Sequence, residues 1–264
     1  MKKKGYFFLR LWHSLIIFWN FMVLDETQFQ WQTIARSNQK VPLGNWRVWL
    51  IMAGRGFGKT RTGAETIREW VSSGMYGRIA LIGETIREAR DIMVEGVSGI
   101  LSVSTSIEKL NFESSKRRLS WPNGAVATLY GGNTYNQLRG PQFDAAWVDE
   151  IAKFKDPEAL WDQLMMCMRI GNDPKIIVTT TPRPLRLLQN FLKDDMVHVT
   201  RGSTFDNREN LATAFFDQIV KKYEGTHFGI QELEGELLTD LPGALWQRNM
   251  IRRGEILGSH IDKA

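Results

Sequence analysis

The chain has 264 residues, 43% of them hydrophobic and 24% charged, which suits one large domain or two small ones around a sizeable core. Its formal net charge of +5 is concentrated at the start, where Lys2, Lys3, Lys4 and Arg10 precede the first acid, Asp25; the remainder is nearly balanced, which excludes a nucleic-acid surface built on a global basic field. The single cysteine, Cys167, excludes an internal disulfide and cysteine-built metal clusters, and it fits a reducing cytoplasm.

Three lysines followed by an apolar run from Leu11 to Leu24 look like the first parts of a secretory signal. No small-residue cleavage site follows, only Asp25-Glu26-Thr27-Gln28, and the run is short of the roughly 20 residues of a membrane span. A basic, Trp- and Phe-rich helix packing on the domain or on a partner is the reading that remains. Residues 1–45 are thus expected to form an N-terminal helical segment, closed by a turn at Pro42 and Gly44.

A Trp-rich apolar run, Trp46 to Ala53, predicts the first strand. It leads into Ala53-Gly54-Arg55-Gly56-Phe57-Gly58-Lys59-Thr60 and then a helical pattern that stops near Ser72-Ser73-Gly74. Strand, glycine-rich turn, Gly-Lys-Thr and helix are the layout of a phosphate-binding loop. Glycines let the backbone wrap with its N–H groups turned inward. The following helix presents its positive end to the same anion. Lys59 would reach the terminal phosphates and the Thr60 hydroxyl would take one position on a magnesium ion. Ala53 stands where the strict pattern has glycine, a small residue in either case.

Arg78 to Gly83 predicts a second buried strand, and Thr85 caps a helix to about Val94. Residues 107–131 change period: Ile107 to Phe112, a charged turn, Arg118 to Trp121, a Pro-Asn-Gly turn and Ala125 to Tyr130 predict an antiparallel meander inserted on a parallel sheet. Phe143 to Val148 predicts a buried strand ending in Asp149-Glu150. Asp156-Pro157-Glu158 opens a helix. Lys175 to Thr181 predicts another strand, Leu185 to Leu192 a helix and Val197 to Thr200 a last strand. The alternation predicts an α/β fold, a mainly parallel sheet flanked by helices, over residues 46–205. Residues 206–264 are expected to form a small helical lid, with helices over Asn210–Tyr223 and Phe228–Leu238, and a linker at Leu241-Pro242-Gly243-Ala244.

Ligands of open α/β sheets bind at the carboxyl ends of strands, so Thr60 and Asp149 should converge. Asp149 would hold magnesium, directly or through water. Glu150 is placed to orient or deprotonate a water that attacks the terminal phosphate, which points to hydrolysis of ATP rather than to transfer onto a small molecule. Thr179-Thr180-Thr181-Pro182 reads either as hydroxyls that sense the phosphate or as a β-branched strand end. Arg55, inside the loop, meets the phosphoryl group or shapes the loop. Arg139 is either an arginine finger, reaching a neighbouring subunit, or a surface arginine. His13, His198, His227 and His260 show no ligand spacing and read as structural or surface residues.

Taken together the motifs resemble the ATPase half of the large terminase of tailed bacteriophages and related gene transfer agents. The residues that carry the resemblance are Ala35-Arg36 with Gln39 and Pro42, Trp46 to Leu50, Gly54 to Glu65, and Ala89-Arg90-Asp91 with Met93 to Gly96. Leu138-Arg139-Gly140 with Phe143-Asp144, Asp149-Glu150, Thr179 to Pro182, and Gly225-Thr226 with Gln231 to Glu236 complete the series. The resemblance covers roughly residues 31–250, and an ordered series is far more specific than any one motif. It implies a P-loop NTPase fold of the ASCE type and a translocating ATPase that uses ATP and magnesium. It implies that Ala53, Gly54, Arg55, Gly56, Phe57, Gly58, Lys59, Thr60, Arg61 and Thr180 line the nucleotide, that Gln39 contacts adenine, and that Glu150, Arg55, Arg139 and Lys59 are catalytic. The threonine motif would couple hydrolysis to movement. Arg139 would act in trans within a ring of subunits, a pentamer, that passes double-stranded DNA through its pore into a procapsid. The portal protein and the small terminase subunit would be partners, in the cytoplasm of the bacterial host and transiently on the procapsid.

Two features depart from the family. A typical large terminase continues into a metal-dependent nuclease domain, whereas this sequence stops at Ala264 without that acidic cluster, so no DNA cleavage is expected from it. The other is the apolar N-terminus, which the resemblance does not match. Lys116-Arg117-Arg118 and Arg183-Pro184-Leu185-Arg186 are candidate phosphate-contacting patches for DNA, against the commoner reading of solvated charge. Another P-loop DNA motor such as a helicase, or a silent scaffold that binds nucleotide without turnover, are the alternatives.

Overall fold

In the computed structural model, which describes residues 30–238, the longest apolar runs form the centre of one sheet. β1 (Val48–Ala53), β6 (Ala145–Asp149) and β7 (Lys175–Thr180) are buried along their whole length. Strands covered on both faces need apolar side chains on both, which is why these segments do not alternate. With β2 (Arg78–Gly83), β3 (Asn111–Glu113), β4 (Arg118–Ser120), β5 (Val126–Gly131) and β8 (Val197–Gly202) they make an eight-stranded sheet in the order β3-β4-β5-β2-β6-β7-β1-β8. Pairing is parallel from β5 through β8. Only β3–β4 and β4–β5 are antiparallel. The expected meander is therefore present, but β5 belongs equally to the parallel sheet.

This order puts β7 between the strand that ends in the glycine loop and the strand that ends in the two acids. β6 and β7 run in register with Asp149 opposite Thr179, and β7 and β1 with Thr180 opposite Met52. Three chain segments thus end side by side at the carboxyl end of the central strands.

The main helices cover opposite faces. α1 (Lys59–Ser72) packs Ile67 and Trp70 with Trp49, Trp147 and Ile177. Trp46 joins this face by stacking on Trp70, with ring centroids 6.4 Å apart, so β1 begins at Val48 instead of Trp46. Gly74, at φ 73°, ends the helix exit in a conformation that favours glycine. α2 (Pro157–Cys167) and α3 (Arg186–Phe191) pack Leu160, Leu164, Leu188 and Phe191 on the other face with Leu50, Met52 and Val148. Asp156 accepts a hydrogen bond from Ala159 N–H and Thr85 from Glu88 N–H, as expected of helix caps.

The C-terminal helical readings need shifting. Thr204–Asn210 forms a 3₁₀ segment, anchored by reciprocal Ser203 and Asp206 bonds, and helical structure resumes only at Thr213 and runs to Tyr223. The last helical stretch runs from His227 to Glu234 and stops at Gly235, whose φ is 71°. An alanine Cβ there would lie 2.5 Å from the Gly202 carbonyl oxygen, because the chain folds back against β8 and the glycine loop. The apolar N-terminal run, the linker from Leu241, His13 and His260 lie outside the described residues. Among the described residues no helix is long and apolar enough to cross a membrane.

Candidate active site

The glycine loop spans the end of β1 and the start of α1. Gly56 and Gly58 have φ of 75° and 102°, values that ordinary side chains resist. Gly54 is required for space: a Cβ there would sit 2.3 Å from the Leu233 carbonyl oxygen. If a loop turns its N–H groups to one side, its carbonyls must be satisfied on the other. Here the carbonyls of Arg55 and Gly56 accept from Thr204 Oγ1 at 2.6 Å and Asn207 Nδ2 at 2.7 Å. Phe57 accepts from the Arg36 guanidinium and Gly58 from Thr62 Oγ1 at 3.0 Å. Phe57 itself is buried against Gly202, where any side chain would collide with its ring.

Lys59 is buried and lies across the loop. Its ammonium donates to the carbonyls of Ala53 at 2.9 Å and Gly54 at 3.2 Å and to Thr181 Oγ1 at 3.1 Å, and it sits 3.4 Å from Glu150 Oε1. Thr60 follows it in the first turn of α1.

The acids lie at the end of β6. Asp149 is buried, and burial pushes its carboxyl up to about 6, partly offset by a 2.5 Å hydrogen bond from Thr179 Oγ1. That hydroxyl in turn accepts from Trp147 Nε1 at 3.0 Å. The Trp147 ring lies against Gly63 of α1, where a Cβ would come within 2.3 Å of it. Glu150 adopts φ 55°, ψ 45°, a left-handed conformation that costs a non-glycine residue about 1 kcal/mol. Its backbone is fixed by a 2.7 Å bond to the Thr179 carbonyl, and Oε2 accepts from Thr181 N–H at 3.0 Å.

The threonine motif divides by its period of two. Thr179 and Thr181 face the charged groups. Thr180 points away: its hydroxyl accepts from Ala152 N–H and donates to the Thr181 carbonyl. The sequence reading singled out Thr180, whereas the geometry brings its two neighbours to Asp149, Lys59 and Glu150.

The other sequence candidates take distinct places. Arg55 projects from the loop, and its Nε pairs at 2.6 Å with Glu232, whose side chain is buried. Arg61 turns along α1 to Glu65 at 2.6 Å and lies over Trp31. Gln39 is buried beside the loop, with Oε1 accepting from Arg36 N–H and Nε2 donating to Thr62 Oγ1. Arg139 does not join this group. The adjacent Leu138 carbonyl accepts from Cys167 Sγ at the C-terminal end of α2, so Arg139 lies exposed towards the opposite end of the sheet. Lys116 and Arg117 sit on the β3–β4 turn, where Lys116 pairs with Glu113. Arg183 is exposed in the loop after β7.

Sequence reasoning assigned no role to Trp147, Thr204, Asn207 or Glu232. Glu232 and the Thr204–Asn207 segment reach the loop across more than 140 residues of chain, and no local pattern marks such contacts.

Among the described residues no three His, Cys, Asp or Glu side chains cluster as a metal site. Thr60 and Asp149 are hard oxygen donors at the carboxyl end of the central strands. They fit Mg²⁺, which is commonly held by one carboxylate, a hydroxyl, water and the phosphates of its substrate.

Solved structures share this fold. The large terminase of a thermophilic bacteriophage matches with TM-score 0.58 and 13% identity over 80% of this chain and 53% of its own. The same protein in complex with ATP-γ-S matches with TM-score 0.55 and 16% identity over 80% of this chain and 52% of its own. The large terminase ATPase domain of Thermus phage P74-26 matches with TM-score 0.59 and 14% identity over 77% of this chain and 94% of its own. The chain thus spans about half the length of the first of these large terminases. No curated protein matches it. Residues 50–253 match the family model described as terminase large subunit, T4likevirus-type, N-terminal, and the chain belongs to that family.

Proposed function

We propose that this chain hydrolyses ATP and, as the motor part of a large terminase, drives double-stranded DNA into a procapsid. The observation that carries the reading is the junction of the loop, the acids and the strand between them. Lys59, Glu150 and Thr181 are in contact, and Asp149 is held by Thr179. The thermophilic phage terminase in its complexes with ATP-γ-S and ADP adds support, because its fold is shared over most of this chain.

In this reading the loop N–H groups and Lys59 hold the triphosphate, with Gln39 on the adenine side. Thr60 and Asp149 would hold Mg²⁺, which when bound supplies charge neutralisation at the β- and γ-phosphates. A phosphate oxygen competes for Lys59 and releases one oxygen of Glu150 to a water. The water oxygen bonds to the γ-phosphorus, its proton passes to Glu150, and the β–γ bridging oxygen leaves with ADP. Thr181, bonded to both Lys59 and Glu150, is placed to register loss of the phosphate. Arg139, remote from this site, serves the site of a neighbour in a ring, a pentamer. The residues past β8, with Glu232 on Arg55, act as the lid that passes the change to DNA. The portal and the small terminase subunit are the partners in assembly.

The test is ATP turnover and ATP binding measured in parallel. Lys59→Ala should lose both. Glu150→Ala should keep ATP binding and lose turnover by at least about a hundredfold, the share of a positioned base. Normal turnover by Glu150→Ala would overturn the proposal. Strand separation of naked duplex DNA would redirect it to a helicase.

A further inference from the structure

The outer side of the glycine loop is built as carefully as its inner side. We infer that Asn207 and Thr204 are positioning residues for the triphosphate, acting through the loop's carbonyls. The inference rests on the nucleotide reading above and deepens it.

Peptide groups flanked by glycines rotate at little cost, so sterics alone do not hold the loop's N–H groups inward. Gly56 and Gly58 are such positions, with φ of 75° and 102°. A donor on the outer side fixes each peptide, because turning its N–H away would strand a carbonyl that is already bonded. Thr204 Oγ1 takes the Arg55 carbonyl at 2.6 Å and Asn207 Nδ2 the Gly56 carbonyl at 2.7 Å. Both come from one short segment after β8, the strand beside β1.

Asn207 has a second contact. Its Oδ1 accepts from Arg36 Nη1 at 2.8 Å and from Asn210 Nδ2 at 3.0 Å. Arg36 in turn bonds the Phe57 carbonyl and lies over the Phe57 ring at 4.8 Å. One amide thus donates to the loop and accepts from the guanidinium that holds the next residue. Asparagine fits this place because it carries donor and acceptor on one short side chain. Ser203 and Asp206 hold the segment in turn, with Ser203 N–H donating to Asp206 at 3.0 Å.

Asn207→Asp keeps the shape and the acceptor for Arg36. It removes the donor to Gly56 and sets a carboxylate against that carbonyl. The experiment is equilibrium titration with a fluorescent ATP analogue, alongside thermal melting without nucleotide. Wild type, Lys59→Ala, Asn207→Asp, Thr204→Val and Thr204→Ser are compared. Loss of one ordinary hydrogen bond that holds the binding conformation corresponds to about tenfold weaker binding. Asn207→Asp and Thr204→Val should each show that loss, with Tm within about 3 °C of wild type, roughly 1 kcal/mol for a chain of this size. Thr204→Ser, which keeps the hydroxyl, should restore wild-type affinity, a rescue that bulk packing of the threonine methyl would not give. If Asn207→Asp fails to fold, the Thr204 pair decides. Wild-type affinity in Asn207→Asp and Thr204→Val, with Lys59→Ala impaired, overturns this inference and leaves the nucleotide reading intact. A wild type that does not bind the analogue overturns both.

Discussion

Asp149 is expected to cost the fold stability, and its replacement by asparagine should show it. The carboxyl is buried, and burial pushes it up to about 6 from an ordinary 3.8. Each pKa unit is worth about 1.4 kcal/mol, so ionising Asp149 in the folded chain at pH 8 costs about 3 kcal/mol relative to ionising it in the unfolded chain. The sign follows from the raised folded value. Below the unfolded pKa both states are protonated and there is no penalty; it grows as pH rises from the unfolded value to the folded one and is complete above the folded one. Asparagine keeps the shape and an oxygen that accepts from Thr179, but it carries no charge. Asp149→Asn should therefore be more stable than wild type at pH 8, by up to about 3 kcal/mol or roughly 6 to 12 °C in Tm. The difference should shrink as pH falls from about 6 towards 4 and vanish below the unfolded value of 3.8. Urea unfolding of both proteins in chelator-containing buffer, at a series of pH values, measures it. The chelator matters because bound Mg²⁺ would repay the penalty in wild type alone. A variant no more stable than wild type at pH 8, or a difference independent of pH, would refute the reasoning. ATP turnover should be lost in the same variant, the compromise expected where a charged group is kept for function.

Gly63→Ala gains helix propensity worth about 1 kcal/mol, but its Cβ meets the Trp147 ring at 2.3 Å. Overpacking of this kind costs about 1 to 3 kcal/mol, so a net fall in Tm is expected, together with weaker nucleotide binding as Trp147 shifts away from Thr179. Arg55→Ala leaves the buried Glu232 without its 2.6 Å partner; because the arginine itself is largely exposed, solvent screens the pair and the loss in urea unfolding should be about 1 kcal/mol, whereas an arginine acting only on phosphate would leave stability unchanged. Arg139→Ala, at an exposed position, should unfold within about 0.5 kcal/mol of wild type while the assembled enzyme loses turnover. Mixing Arg139→Ala with Lys59→Ala subunits should restore part of the ATPase activity, since each supplies what the other lacks; no recovery would place the arginine's action elsewhere.

The sequence shows most clearly those parts of the site whose chemistry is local. Gly56, Gly58 and Lys59 sit within a few residues of one another, and backbone freedom plus a reaching ammonium is legible in that spacing. Asp149-Glu150 is legible because an apolar strand that ends in two acids is hard to explain by packing. Strand pairing was legible only in class. Nothing in the local pattern says that β7 should lie between β1 and β6, yet that placement is what brings Thr179 and Thr181 to the acids.

The reading of Thr180 shows where the limit comes from. Three threonines in a row are chemically alike, and only the strand's facing decides which two meet the site. That facing is set by Trp147 and Asp149, which share one side of the neighbouring strand in register with Ile177 and Thr179. The same holds for the loop's outer side. Its backbone freedom is implied by glycines in the sequence, but the donors that hold its carbonyls come from Arg36, before β1, and from Thr204 and Asn207, after β8. A phosphate-binding motif thus specifies a possible conformation, and on the inference drawn above the distant donors select it. Substitutions at those donors should accordingly behave as binding mutations although none of the three needs to touch the phosphate.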